Sequence, residues 1–359
     1  TNTWIIADKN ARTCVVIDPS ESAAERIESY IRCQDLAVVA VLDTHSHADH
    51  DSTRPFLQRI LEDLLVSGAS HGADALGWPS AGGWEVELDS GLKVSALRLG
   101  VVPGGERILA RLPTPGHTSD SHAFLLGVAQ KGKLEAAAVQ FVFCGDTILS
   151  GGLGRTNFTV SEPSALFHSL RLLAGVLAPR TLLCPAHDYD NSFATTLETE
   201  SRENALLKSV FGRNLSSALG RFVEEKKSID LRLASLEEDF QGIVCGVAGA
   251  RGLPGDAEMK ISPAQLRAAK EEYRVIDVRE PQEHVLFKDW SALGLRSPAR
   301  NVPLSRFVNF MREILSGEMG DARIVLLCRS GNRSLQAAKT LRRMGYPQVW
   351  SLEGGVTLL

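Results

Sequence analysis

The sequence predicts two domains, a mixed α+β domain followed by a smaller α/β domain. Three observations predict this. The chain has 359 residues, and one hydrophobic core rarely serves more than about 250–300. Glycine, alanine and Pro254 dominate residues 242–255, as in a linker. Beyond that stretch strands and helices alternate, the rhythm of an α/β unit. The expected domains are residues 1–241 and 256–359, and about 100 residues suffice for the second to own a core.

In chain order, residues 36–44 are an apolar, β-branched run and read as a buried strand. Residues 53–66 show helical periodicity. Residues 67–83, rich in Gly, Ser and Ala, read as a loop. Apolar runs at 93–99, 122–128 and 139–144 read as strands. A helix is expected at 164–177 and a strand at 181–184, and residues 197–240 are helical and mixed in charge. In the second domain Ser262-Pro263 is a helix start, with Ser as N-cap and Pro at the first helical position. Residues 273–278, 323–327 and 347–352 read as strands, and 331–344 as a helix.

Composition narrows the function. Hydrophobic residues make up 44% and charged residues 23%, with a net charge of −4. That balance excludes an electrostatic case for nucleic acid or an anionic membrane. The longest apolar run, about Leu36–Leu42, is too short to span a bilayer. Six scattered cysteines, none in a Cys-x-x-Cys pair, are not a disulfide framework and point to a reducing compartment. No basic-then-apolar leader opens the chain; because it begins at Thr1, a removed leader would leave no trace.

Candidate chemistry begins where the first strand ends. His45, His47, Asp49 and His50 fall within six residues, and imidazole and carboxylate are donors for divalent iron, zinc or manganese. Three further donors follow, each closing an apolar run or sitting in a Gly/Pro turn: His117, Asp146 and His187. A lone histidine is usually a surface or satisfied core residue. Five of nine in one ordered set are not, whereas His71, His122, His168 and His284 keep the ordinary reading.

The ordered set resembles the metallo-β-lactamase superfamily over roughly residues 1–240. The resemblance implies an αββα sandwich with the metal site at one edge of its two sheets. Thr44–His50, Thr114–Thr118, Gly154–Phe158 and Pro185–Tyr189 are similar to persulfide dioxygenases, with glyoxalase II a near relative. The dioxygenase resemblance implies one Fe(II) per chain on His45, His117 and Asp146, a two-His, one-carboxylate triad with open positions. His47, Asp49, His50 and His187 would then orient those ligands. A glyoxalase II-like site would instead use all seven donors for two metals. Arg155 is a candidate for gripping a substrate carboxylate, and Tyr189 a weaker one. The sequence departs from the family at Asp51-Ser52-Thr53 after His50, and at Asn157, where an Asp is usual.

A second site stands out in the second domain. The apolar strand 323–327 runs into Cys328-Arg329-Ser330-Gly331-Asn332-Arg333-Ser334. A thiol there meets backbone N–H groups, the positive end of a helix and two arginines, all of which favour the reactive thiolate. This loop resembles the rhodanese active site over about 256–359, which implies a parallel sheet. Val275–Glu280 is similar to that family's Asp-Val-Arg strand and Leu352–Val356 to its closing glycine turn. The six-residue loop Cys328–Arg333 is shorter than the related phosphatase loop and favours sulfur transfer. Cys328 is thus the expected nucleophile, with Arg329 and Arg333 beside the substrate.

Together the resemblances imply oxidation of glutathione persulfide, or a similar small persulfide, with O2 to sulfite and free thiol. Sulfane sulfur would pass through a Cys328 persulfide, with sulfite or thiosulfate as partner. The alternative is a dinuclear thiolester hydrolase with an appended rhodanese. The cytoplasm, or the mitochondrial matrix in a eukaryote, is the expected location. Dimers and tetramers are common in the resembling family.

Overall fold

The computed structural model describes residues 2–46, 54–65, 73–79, 84–211, 215–240, 256–269, 271–286, 290–295 and 298–358. His47, Asp49, His50, Asp51, Ser52, Thr53 and His71, with the expected linker 242–255, lie outside them. Two compact units form: Thr1–Tyr189 with Thr196–Gly249, and Asp190–Thr195 with Ala250–Leu359.

The first unit is built on two sheets. Strands β1 (Trp4–Asp8), β2 (Thr13–Ile17) and β3 (Ala37–Leu42) form a three-stranded sheet in that order. Helices α1 (Ala24–Cys33) and α2 (Arg54–Ile60) cover one face of it, burying Val16, Val38 and Val41 against Ile27, Ile31 and Leu57. The alternate side chains Val15, Ile17 and Leu42 are equally buried, so this sheet is covered on both faces.

The second sheet contains β4 (Trp84–Leu88), β5 (Lys93–Val102), β6 (Gly105–Pro113), β7 (His122–Ala129), β8 (Lys133–Leu134), β9 (Val139–Gly145), β10 (Leu182–Pro185) and β11 (Thr195–Thr196). Their order is β11-β10-β9-β7-β6-β5-β4-β8. Trp4 of β1 packs on Phe143 of β9 at 5.8 Å, and Arg107 of β6 donates to Asp8 of β1 at 2.8 Å, so the two sheets face each other. Helix α3 (Pro163–Val176) packs Leu166, Phe167 and Leu170 into the core of the larger sheet. The helices α4 (Leu197–Glu203), α5 (Ala205–Val210) and α6 (Leu215–Phe240) follow. Helices on each outer side of two stacked sheets make the expected αββα sandwich.

The structure refines several boundaries. The helix expected at 53–66 is α2 followed by a short 3-10 turn, Glu62–Leu64. The helical stretch 197–240 is three helices, because the Thr196 hydroxyl caps α4 and the Asn204 side chain caps α5. In this unit strands β1, β2, β4, β6, β8 and β11 add to those expected.

The second unit is a five-stranded sheet of β12 (Lys260–Ile261), β13 (Tyr273–Asp277), β14 (Arg300–Asn301), β15 (Arg323–Leu327) and β16 (Val349–Leu352). Its order is β12-β16-β15-β13-β14 and every pairing is parallel. Helices α7 (Pro263–Ala268), α8 (Pro281–His284), α9 (Phe307–Leu315) and α10 (Asn332–Arg343) connect the strands. Ser262 closes a capping box with Gln265 and Pro263 opens α7, as the sequence predicts. The core gathers Val275, Val325, Leu327 and Leu352 from the sheet with Trp290 and Leu293.

Candidate metal centre and nucleophile loop

The first site lies where strands of the sandwich end. His45 follows β3, His117 sits between β6 and β7, Asp146 follows β9 directly, and His187 follows β10. Gly145 precedes Asp146 with φ +53°, and a Cβ there would lie 2.6 Å from Thr44 Oγ1, so only glycine turns the chain at this point.

Among the described residues, His45, His117 and Asp146 form one group whose ligand atoms lie within 4.8 Å of one another. All three are buried. Asp146 Oδ2 is 3.8 Å from His45 Nε2 and 3.6 Å from His117 Nε2. Two donors each about 2.1 Å from one ion stand about 3.0–3.4 Å apart, so these separations are close to those a divalent ion imposes.

Hydrogen bonds set the tautomers. Asp18, buried, accepts the Thr44 N–H at 2.7 Å and the Thr44 hydroxyl at 3.0 Å. With its hydrogen directed to Asp18, Thr44 Oγ1 accepts from His45 Nδ1 at 2.9 Å. His117 Nδ1 likewise donates to the Arg155 carbonyl at 2.7 Å. In both rings the proton sits on Nδ1 and the Nε2 lone pair is directed into the site. His117 Nε2 is buried and has no hydrogen-bond partner. An orphaned buried acceptor is costly unless a ligand completes it, and a metal ion fits that requirement.

His187 Nδ1 donates to Asp146, 2.8 Å from Oδ1 and 2.9 Å from Oδ2. Burial alone would raise the Asp146 carboxyl; the His187 hydrogen bond outweighs it and holds the group well below the usual carboxylate range. Asp120 braces the chain after His45, accepting from the Ser46 N–H at 3.2 Å, the Ser46 hydroxyl, and the Thr118 hydroxyl at 2.6 Å.

Around this centre, Arg155 is buried and donates through Nε to Asn157 Oδ1 at 2.9 Å, with its guanidinium 5.1 Å from the Phe158 ring. Asn157, one of the departures from the family pattern, is therefore a partner of Arg155. Tyr189 is 43% exposed and stacks on His187 at 6.0 Å. His122 does not join the donors: its Nδ1 donates to the Asp120 carbonyl. His168 packs against Phe167. His284 donates to Asp277 at 2.7 Å in the second unit.

The second site follows β15. Cys328 is buried, and its Sγ accepts from the Gly331 N–H at 3.1 Å and the Ser334 hydroxyl at 3.4 Å. The closing glycine turn supports the loop, as Val356 N–H donates to the Cys328 carbonyl at 3.0 Å and Thr357 N–H to that of Arg329 at 3.1 Å. Arg329 is exposed. Arg333 donates both terminal nitrogens to Glu283, at 2.8 and 2.7 Å. The Arg333 hydrogen bond holds the Glu283 carboxyl down at about 2, and Glu283 in turn raises Arg333. The Asp-Val-Arg strand has a structural role: Arg279 clamps buried Asp277, whose carboxylate also accepts from His284.

Asp18, Asp120 and Glu283 hold residues of these sites without standing out in the sequence.

Residues 1–192 match the family model "Metallo-beta-lactamase superfamily" and residues 262–358 match "Rhodanese-like domain". The mitochondrial persulfide dioxygenase ETHE1 of Bos taurus is 28% identical over 209 residues, covering 58% of this chain and 71% of its own. The hydroxyacylglutathione hydrolase of Shewanella denitrificans is 32% identical over 208 residues, covering 56% of this chain and 68% of its own. The crystal structure of ETHE1 from Myxococcus xanthus is 30% identical, covers 61% of this chain and 84% of that one, and has a TM-score of 0.45.

Proposed function

We propose that the chain, which belongs to the metallo-beta-lactamase superfamily and carries a rhodanese-like domain at residues 262–358, oxidises glutathione persulfide or a similar small persulfide with O2 at a single iron, and relays sulfane sulfur through Cys328. One observation carries the metal assignment. His45, His117 and Asp146 converge, whereas His187 turns Nδ1 to Asp146 as a hydrogen-bond donor. That arrangement suits a two-His, one-carboxylate site for one ion.

The reaction balances as RSSH + O2 + H2O giving RSH, SO3²⁻ and two H⁺. Iron(II), held by these three residues, would supply the redox chemistry that joins the persulfide sulfur to O2. The chain's own residues do the rest. Thr44 and the Arg155 carbonyl hold the two imidazoles with Nε2 facing the site, and His187 keeps Asp146 ionised and oriented. The buried Arg155 guanidinium offers a carboxylate clamp, and the exposed Tyr189 stacks on the face of His187.

In the second unit, the Cys328 thiolate takes the outer sulfur of RSSH, releasing RSH and leaving a Cys328 persulfide. Sulfite then accepts that sulfur, giving thiosulfate and restoring the thiolate; run in reverse, thiosulfate supplies the persulfide. The Gly331 N–H and Ser334 hydroxyl meet the sulfur anion, and Arg329 and Arg333, in the same loop, are assigned to the anionic partners.

Similarity to hydroxyacylglutathione hydrolases favours a second reading, thiolester hydrolysis at two metals with a bridging hydroxide. Purified protein with glutathione persulfide in an oxygen electrode separates the two. O2 consumption matched by sulfite release is expected. Hydrolysis of a glutathione thiolester without O2 consumption would overturn the dioxygenase reading.

A further inference from the structure

The buried pair Lys226 and Asp230 on α6 lies outside the chemistry above. Both side chains are 1% exposed, and Lys226 Nζ donates to Asp230 Oδ1. The other oxygen, Oδ2, accepts the Thr156 N–H at 2.8 Å and the Thr156 hydroxyl at 2.7 Å. Thr156 N–H belongs to the same planar peptide unit as the Arg155 carbonyl. No cis peptide occurs among the described residues, so the two groups point in opposite directions. That carbonyl accepts from His117 Nδ1 at 2.7 Å. Asp230 and His117 therefore hold one peptide from its two sides.

We propose that Asp230 is a positioning residue that orients and tunes His117 as a metal ligand through the Arg155–Thr156 peptide. The inference rests on the metal reading of His45, His117 and Asp146. Hydrogen-bonded groups polarise one another in a low-dielectric interior. A carboxylate drawing on the peptide N–H shifts electron density to the carbonyl. The carbonyl then accepts more strongly from Nδ1–H, and the Nε2 lone pair becomes a better donor. Carboxylate partners placed directly on ligating histidines act this way; here a peptide unit stands between. Lys226 partly balances the carboxylate and fixes its rotamer. His45 is served by a separate route, a hydroxyl rather than a peptide: its Nδ1 meets Thr44 Oγ1, which donates to Asp18.

The test uses the full chain loaded with Zn(II), with affinity read by competition against a chromophoric chelator. The ¹⁵N resonances of His117 and His45 are read in the same samples. Asp230→Asn preserves shape and an acceptor but removes the charge. It is expected to weaken Zn(II) binding roughly tenfold and to move the His117 ring resonances while leaving those of His45 in place. Thr156→Val removes only the hydroxyl arm and leaves the peptide N–H bonded to Asp230; its affinity is expected to stay within about twofold of wild type. Affinity unchanged in Asp230→Asn, equal shifts at both histidines, or a tenfold loss in Thr156→Val would each overturn the relay. Should Asp230→Asn fail to fold, the Thr156→Val result decides alone. A wild-type chain that binds no Zn(II) would overturn the metal centre together with the inference.

Discussion

Gly154 offers a sharp test of how tightly the metal centre is built. Its N–H donates to the Asp146 carbonyl at 2.8 Å, so the loop carrying Arg155 lies directly against a candidate ligand. A Cβ at this position would stand 2.1 Å from that carbonyl oxygen, 3.0 Å from its carbon and 3.0 Å from His117 Cγ. Ordinary contacts begin near 3.4 Å, so Gly154→Ala forces a displacement of roughly 1 Å, and the atoms in the way are backbone and a ligand ring. Overpacking of this kind costs about 1–3 kcal/mol of stability. The larger effect is local, because a misplacement of about 1 Å at reacting groups costs on the order of 10²-fold in rate. The assay is metal content and O2 consumption on glutathione persulfide, with thiosulfate:cyanide sulfurtransferase activity of the second unit as internal control. Loss of metal and of O2 consumption with sulfurtransferase retained is expected. Full metal content with O2 consumption within twofold of wild type would refute the packing argument.

Two other perturbations separate the second unit. Cys328→Ser is expected to abolish sulfurtransferase activity while O2 consumption at the first unit persists; unchanged sulfurtransferase activity would remove Cys328 from its role. Glu283→Gln tests the ion pair with Arg333. The Glu283 carboxyl is held down at about 2, so its contribution is present above the unfolded value of about 4.3 and is lost as pH falls through about 2. With both partners about a third exposed, the pair contributes below about 1 kcal/mol. The gap in urea midpoint between wild type and variant is expected to be small at pH 6 and to narrow at pH 3; a gap that widens on acidification would contradict the assignment.

The donors were legible in the sequence because imidazole and carboxylate groups ended apolar runs, and strand ends are where functional groups emerge. His45, His117 and Asp146 needed no knowledge of the sheets to be noticed. The residues that orient them were hidden, since Asp18 and Asp230 reach His45 and His117 only through Thr44 and the Arg155–Thr156 peptide. A sequence carries no sign of such through-space links.

Strand β6 was concealed by Glu106, Arg107 and Arg111, which interrupt its apolar residues, although Ile108, Leu109, Ala110 and Leu112 are fully buried. In the second unit, Cys328 was legible from its strand–loop–helix setting. The engagement of Arg333 with Glu283 was not, because the two are separated by 50 residues.

Metal analysis of the purified full chain decides between one iron at a two-His, one-carboxylate site and a dinuclear centre. About one iron per chain, lost on His117→Ala, is expected. Two metal ions per chain would rule out the single-iron site and place the chemistry with thiolester hydrolysis.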